Sequence, residues 1–320
     1  MPRKTSFSVS KVLEVLGAGK TADEMRSEGV SIAIVVADGA PRDLVTVVRD
    51  SLVAQLPTAA VRVLSCADAP SDMSNDRDAA IFLLGSDSDA VGEVALARAR
   101  SGVPVALVAH SALDLPAFGT LPEEVAALIS EVVAADNSRL ADRLARWLLD
   151  ATDKPIAMAA NFPFCRPALV SSLAAKCAAE NAAVGAVDIV HGSDFPIMTV
   201  NQMKLALDIA AAYGDELSPK SAIDIALVLV AGLSWRSFAR LVNDALPAGT
   251  WVSRAAFAFA GTMATSALIK AVHDGAFSDA ASRLKDLSHA SAGPASAEKD
   301  PVVLPAPAAA GTSGSAYITY

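Results

Sequence analysis

The stretch Val30 to Val53, VSIAIVVADGAPRDLVTVVRDSLV, joins an apolar run to a helical run through a turn at Gly39. That arrangement can aim backbone N–H groups and a helix N-terminus at a phosphate. A phosphate-cradling loop also needs a second glycine, a lysine that reaches the terminal phosphates and a hydroxyl that ligates magnesium. Here Gly39 is the sole glycine, Pro41 removes an N–H donor, and Asp43 sets a negative charge where a triphosphate would sit. Gly39, Asp87 and Asp114 are therefore weak cofactor contacts, and no cofactor is expected. Asp87 and Asp89 in the run GSDSD could face a cation. Gly, Ser and Asp are equally the ordinary residues of a solvated, hydrogen-bonded turn, and that reading is preferred for them and for Asp72, Asp76 and Asp78.

Other reactive residue types are scattered. His110, Ser111 and Asp114 could supply a base-activated nucleophile, but no G-x-S-x-G elbow accompanies them, and a strand end explains them better. His191, His273 and His289 stand alone, without an H-E-x-x-H pair. Cys66, Cys165 and Cys177 lack C-x-x-C spacing, so neither zinc nor a disulfide framework is expected, and the thiols read as reduced and buried. Asp194, Gln202 and Tyr213 form a polar group in the C-terminal half, with a structural role preferred over ligand binding. Thr199 and Gln202 read as a T-x-x-Q capping box, and Asp194 as a turn residue ahead of Pro196. No catalytic residue emerges, and the chain leans away from enzymatic activity.

These residues hang on an alternating scaffold. Ile32 to Val36, Val61 to Leu64, Ala79 to Leu84 and Val105 to Ala109 are short apolar runs bounded by Gly, Pro or Asp, as buried strands are. Leu128 to Val133 offers a fifth. Helical spacing at Leu44 to Leu52 and Val91 to Ala99 predicts a mainly parallel α/β sheet. Before it, residues 1–29 read as a lead-in of one short amphipathic helix and one polar helix. After it, Asn137 or Ser138 would cap a helix with the stripe Leu140, Leu144, Trp147 and Leu148. The α/β domain is expected over 30–152. Alanine-rich helical segments without strands predict an all-α domain over 153–276, with Pro167 in a first turn, Ser218-Pro219 at a helix start, and Gly214 and Gly275 at helix stops. Residues 277–320 read as a short helix and a disordered Pro/Ala/Ser-rich tail.

Composition narrows the function classes. The 320 residues carry a formal net charge of -9 with 5% aromatics, which argues against nucleic acid, whose binding releases counterions from basic surfaces. Arg3 and Lys4 precede no apolar leader core, so a cytoplasmic address is the expectation. The runs Ile223 to Leu233 and Ala255 to Ile269 are shorter than the ~20 residues that span a bilayer. They suit either a hairpin buried in protein or one inserted in lipid, and Gly261 within the second suits a close helix contact.

Two parts of the chain resemble known families. The block Ala160 to Gly214 has Phe162, Pro163 and Arg166 at its start, then Asn181. It continues through Asp194, Pro196, Thr199 and Gln202 and closes on Tyr213-Gly214. In this it resembles the YcjF-type helical domain, a domain of unknown function, with a looser match through Pro247, Gly249, Gly261 and Thr262 to about residue 275. That domain commonly follows an Era-like GTPase domain in bacterial proteins. Residues 30–150 resemble the Era-like layout, but where that family has its guanine-reading N-K-x-D this chain has His110, Ser111, Ala112 and Leu113, with Asp114 one place late. The resemblance implies a degenerate GTPase-like domain joined to a helical domain. Its expected role is a non-catalytic adaptor or scaffold that docks an unidentified protein partner or a membrane. The alternatives are a divergent nucleotide-binding protein and an integral membrane protein anchored by residues 255–269.

Overall fold

Five β-branched or alanine-rich runs supply the sheet: β1 (Val30–Val36), β2 (Ala59–Ser65), β3 (Ala79–Leu83), β4 (Val105–Ala109) and β5 (Ile129–Val133). In the computed structural model they lie in the order β2-β1-β3-β4-β5, every neighbouring pair parallel. The structure describes residues 9–69, 77–85, 88–186, 194–216 and 251–275. Asp72, Asp76, Asp87, His191, Ser218, Pro219, the run 223–233, Pro247, Gly249 and His289 lie outside them, and the side chains of Asp194 and Pro196 are likewise outside the description. Met1–Asp274 forms one compact unit and Gly275–Tyr320 another.

The period-two alternation of a strand divides the core between two faces. Ile32, Ile34, Ile81, Leu83 and Val108 point to one face, where α2 (Arg42–Ser51) and α5 (Asn137–Ala151) cover them with Leu44, Val48, Leu140, Leu144 and Leu148. Ala33, Val35, Phe82, Val105 and Leu107 point to the other, beneath Val91, Ala95 and Ala99 of α3 (Ser88–Arg100), with Val125 of α4 (Glu123–Ala126) at its margin. The inner strands β3 and β4 are buried at every position, whereas β2 at one edge leaves Val63 61% exposed. This is a doubly wound sheet.

The remaining helices are α1 (Val9–Ser27), α6 (Pro155–Asn161), α7 (Arg166–Ala186), α8 (Asp194–Ala212) and α9 (Trp251–His273). The apolar cluster on the α2/α5 face runs on through Ile156, Met158, Phe162 and Leu169 into Val200, Met203 and Leu207 of α8, so one core crosses position 152. Buried Asn161 fastens this join. Its Oδ1 accepts from Leu56 N at 3.2 Å, its carbonyl accepts from Gln55 N at 2.9 Å, and its Nδ2 donates to the carbonyl of Ala157 and the hydroxyl of Thr58. A second tie is Lys154, whose Nζ lies 2.8 Å from both Asp78 Oδ1 and the Gly29 carbonyl, while Asp78 Oδ2 accepts from Ser31 N. Asp78 is therefore an ion-paired strap rather than a solvated turn residue.

Four local expectations are corrected. Residues 9–27 form one helix rather than two, because α1 packs along α8 and α6, with Gly19 buried and Ala22 1% exposed. Tertiary contact outweighs the glycine penalty of about 1 kcal/mol. The cap of α5 is Asp136, whose carboxylate accepts from Arg139 N and from the Ser138 hydroxyl. These bonds, that of Ser138 first, hold its carboxyl below the usual range. Asp89 lies in the first turn of α3, where its charge suits the helix dipole, and not in a loop. Thr199 and Gln202 lie inside α8, which starts at Asp194, so they form no capping box. The C-terminal stop of α8 is as expected. Gly214 takes φ +86°, with Asp215 N on the Ala210 carbonyl and Gly214 N on that of Ala211, a Schellman closure.

Candidate functional site

Three places bring polar groups together. The first is the crevice at the carboxyl edge of the sheet between β1 and β3, where the strand order reverses and doubly wound folds place ligands. The β1–α2 turn fills it. A Cβ added to Gly85 would lie 2.3 Å from the Asp38 carbonyl oxygen and 2.6 Å from Ala40 N, so the chain after β3 presses backbone to backbone on the turn. Gly39 at φ +72° makes that turn possible, and its Ala40 N–H is spent on the Ala37 carbonyl. The α2 N-terminus has Pro41 as its cap and no side-chain cap hydrogen bond.

Beside this turn, Asp43 Oδ2 lies 2.9 Å from His110 Nε2, close enough to pair if the ring is protonated but not aligned as a hydrogen bond. The other ring nitrogen meets the Ala134 carbonyl at 3.1 Å. The structure thus brings the Asp43 charge and the His110 strand end together. The Ser111 hydroxyl instead accepts from Leu113 N, and Asp114 is exposed in the turn that follows. His110, Ser111 and Asp114 make no relay. Among the described residues no group of three His, Cys, Asp or Glu is placed to hold a metal.

The second place is a polar network between α7, α8 and α9. Asn181, fully buried, donates to Thr262 Oγ1 at 2.9 Å and accepts from Asn201 at 3.0 Å, while Gln202 reaches the same Thr262 oxygen at 3.5 Å. Thr262 in turn donates to the Ala258 carbonyl. Thr199, Gly261 and Thr265 are buried on these helices. One turn from the network, Gly185 leaves room for only 3.2 Å between an added Cβ and Ala258 Cβ or the Arg254 carbonyl. At the far end Tyr213 donates to Asp274 at 2.5 Å, stacks near His273, and lies 5.1 Å beneath the Arg166 guanidinium. Arg166 also donates to the Ala159 and Ala160 carbonyls. Burial, then the bond to Asp274, pushes the Tyr213 hydroxyl pKa up, and bonds from Lys270 and Tyr213 hold Asp274 down. These groups tie the helices to one another.

The third place is a cleft of about 480 Å³ where α1, α7 and α8 meet the start of α6. Met25, Ile156, Leu169 and Leu173 make apolar wall, and Lys176 of α7 and Lys204 of α8 stand with Asp208 at its lining. Burial raises the Asp208 pKa to about 6, against the opposing charges of Lys176 and Lys204. Sequence reading misses this site because its residues come from separate helices. The only local signal is the i,i+4 spacing of Lys204 and Asp208.

The chain matches no protein-family model, no curated protein and no solved structure.

Proposed function

We propose that this protein is a non-catalytic, pseudo-GTPase-like scaffold: a doubly wound α/β layer that does not bind nucleotide, bearing a YcjF-type helical layer that docks a partner. The observation that carries the reading is the close packing of Gly85 on the Asp38–Ala40 backbone in the turn that leads into α2. The missing lysine, hydroxyl and second glycine support it, since charge-assisted contacts supply most of a phosphate's hold. The hydrogen-bonded clamps of the helical layer supply rigidity rather than chemistry. A cytoplasmic location and an unidentified protein partner belong to the same proposal. A divergent nucleotide-binding protein is the competing reading. Thermal unfolding in excess magnesium-GTP or magnesium-ATP separates the two. A site whose Kd is a hundredth of the ligand concentration would add about 2.7 kcal/mol of stability. The scaffold reading expects an unmoved midpoint, and a shift of several degrees would overturn it.

One observation favours membrane docking as a second reading. Arg254–His273 is a 20-residue window of mean hydropathy 1.5, of which 28% is buried. Its polar Thr262, Thr265 and Ser266 face inward, while Val252 and Phe259 are 53% and 43% exposed. Flotation of the full chain with liposomes tests it: co-migration that resists high salt supports lipid contact, and a protein left at the bottom of the gradient removes it.

A further inference from the structure

We propose that the outer edge of β2 is a homodimer surface, on which a second copy of the chain adds its own β2 antiparallel about a twofold axis at Val63. β2 ends the sheet, with β1 on one side only. Val30 N donates to the Thr58 carbonyl and Cys66 N to that of Val36, so in this parallel ladder the even-numbered residues of β2 turn their N–H and C=O toward β1. Val61, Val63 and Ser65 therefore turn theirs to the open edge. Among the described residues nothing bonds the N–H or C=O of Val61 and Val63, and the Ser65 carbonyl takes Asp68 N and keeps a second lone pair. Val63 is 61% exposed although its ladder partner Ile34 is buried, and the strand AAVRVLS carries no Pro or Lys and only Arg62 as a charge. Natural edges usually avoid that combination.

The opposite edge of the sheet is defended. There the Leu128 carbonyl accepts from Val105 N and Ala134 N donates to the Ala109 carbonyl, so Ile129, Glu131 and Val133 of β5 turn their backbone groups outward. Exposed Glu131 stands at the centre of that strand, and Arg143 already occupies the Val133 carbonyl. On β2 the residue order selects the register. Antiparallel pairing centred on Arg62 would set two guanidinium groups directly opposite each other, and like charges there are destabilising. Centring on Leu64 would pair Val61 with Ala67, beyond the strand end. Centring on Val63 sets Val63 against Val63, Val61 against Ser65 and Arg62 against Leu64. Each outward N–H and C=O then meets its counterpart, and a β-branched pair covers the exposed valine. Two five-stranded sheets run on as one.

Sedimentation of the full chain over about 5–500 µM tests the proposal, because a short strand edge makes a small interface whose Kd is expected in the micromolar range. A monomer–dimer equilibrium is expected. Val63→Lys should weaken it at least about tenfold by facing like charges across the axis, and Glu131→Lys on the far edge should leave it unchanged. Residue-resolved hydrogen exchange on the unmodified chain gives a readout that needs no variant. The amides of Val61, Val63 and Ser65 should slow as concentration rises through the Kd, while those of Arg62 and Leu64 stay slow throughout. A chain that stays monomeric over the whole range would overturn the proposal. The same holds for a dimer that Val63→Lys leaves intact or Glu131→Lys disrupts, or one in which the amides of Val61 and Val63 exchange as fast as in the monomer.

Discussion

At Gly85 there is no room for even a methyl group, whose carbon would sit 2.3 Å from the Asp38 carbonyl oxygen. Gly85→Ala should therefore destabilise the chain by about 1–3 kcal/mol through overpacking, read from a urea midpoint. A neutral outcome would mean that the turn moves freely and the crevice can open. Asn161→Ala should cost a similar ~1–3 kcal/mol, because the Leu56 N–H and Thr58 hydroxyl lose their partner in a partly buried setting. Asp208 gives a pH signature. Its folded pKa is raised, from 3.8 to about 6, so the folded state binds the proton more tightly and its stability falls as pH rises between those values. At 1.36 kcal/mol per unit the loss is about 3 kcal/mol at most. Asp208→Asn should flatten that slope and stabilise the protein at pH 7; an unchanged pH profile would contradict it. Little of this was legible in the sequence. The absent lysine and hydroxyl beside Gly39 could be read directly, but the contact of Gly85 with residue 38 joins positions far apart in the chain. Asp78 looked like any loop acid because its partner, Lys154, is 76 residues away.

Among the elements, period and length carried most of the information. Buried strands bounded by Gly, Pro or Asp declared themselves, and each begins or ends within two residues of its expected limits. Misreadings arose where two local devices compete. Thr199 and Gln202 have capping-box spacing, yet helix α8 extends five residues further toward the N-terminus, and Gln202 reaches Thr262 of α9 instead. Asp136 capped α5 because a carboxylate in front of Ser138 can take both its hydroxyl and the Arg139 N–H. The α7/α8/α9 network makes a sharper test of element packing. Asn181→Ala should cost about 1–3 kcal/mol by leaving Asn201 without its acceptor in a partly buried site. Pairing it with Thr262→Val should cost less than the sum of the two single changes, because the removed groups share a bond. Strict additivity in a double-mutant cycle would show that they do not act together.

Across the whole molecule, one apolar cluster links the sheet face to α7 and α8 through Phe162, Cys165 and Leu169, and the chain to Asp274 forms one compact unit. The expected division near residue 152 rests on a change of composition, which marks where strands stop but not where the core stops. Circular dichroism and tryptophan fluorescence should then report coincident thermal midpoints, and two separated transitions would favour independent halves. The central claim, that the sheet's carboxyl edge does not bind nucleotide, is a proposal drawn from the absent lysine and hydroxyl and from the close packing of Gly85 on Asp38–Ala40. Titration calorimetry of the full chain with GTP and with ATP, each with magnesium, tests that claim most directly. No saturable heat is expected below millimolar nucleotide, and a stoichiometric micromolar Kd for either would contradict the scaffold account.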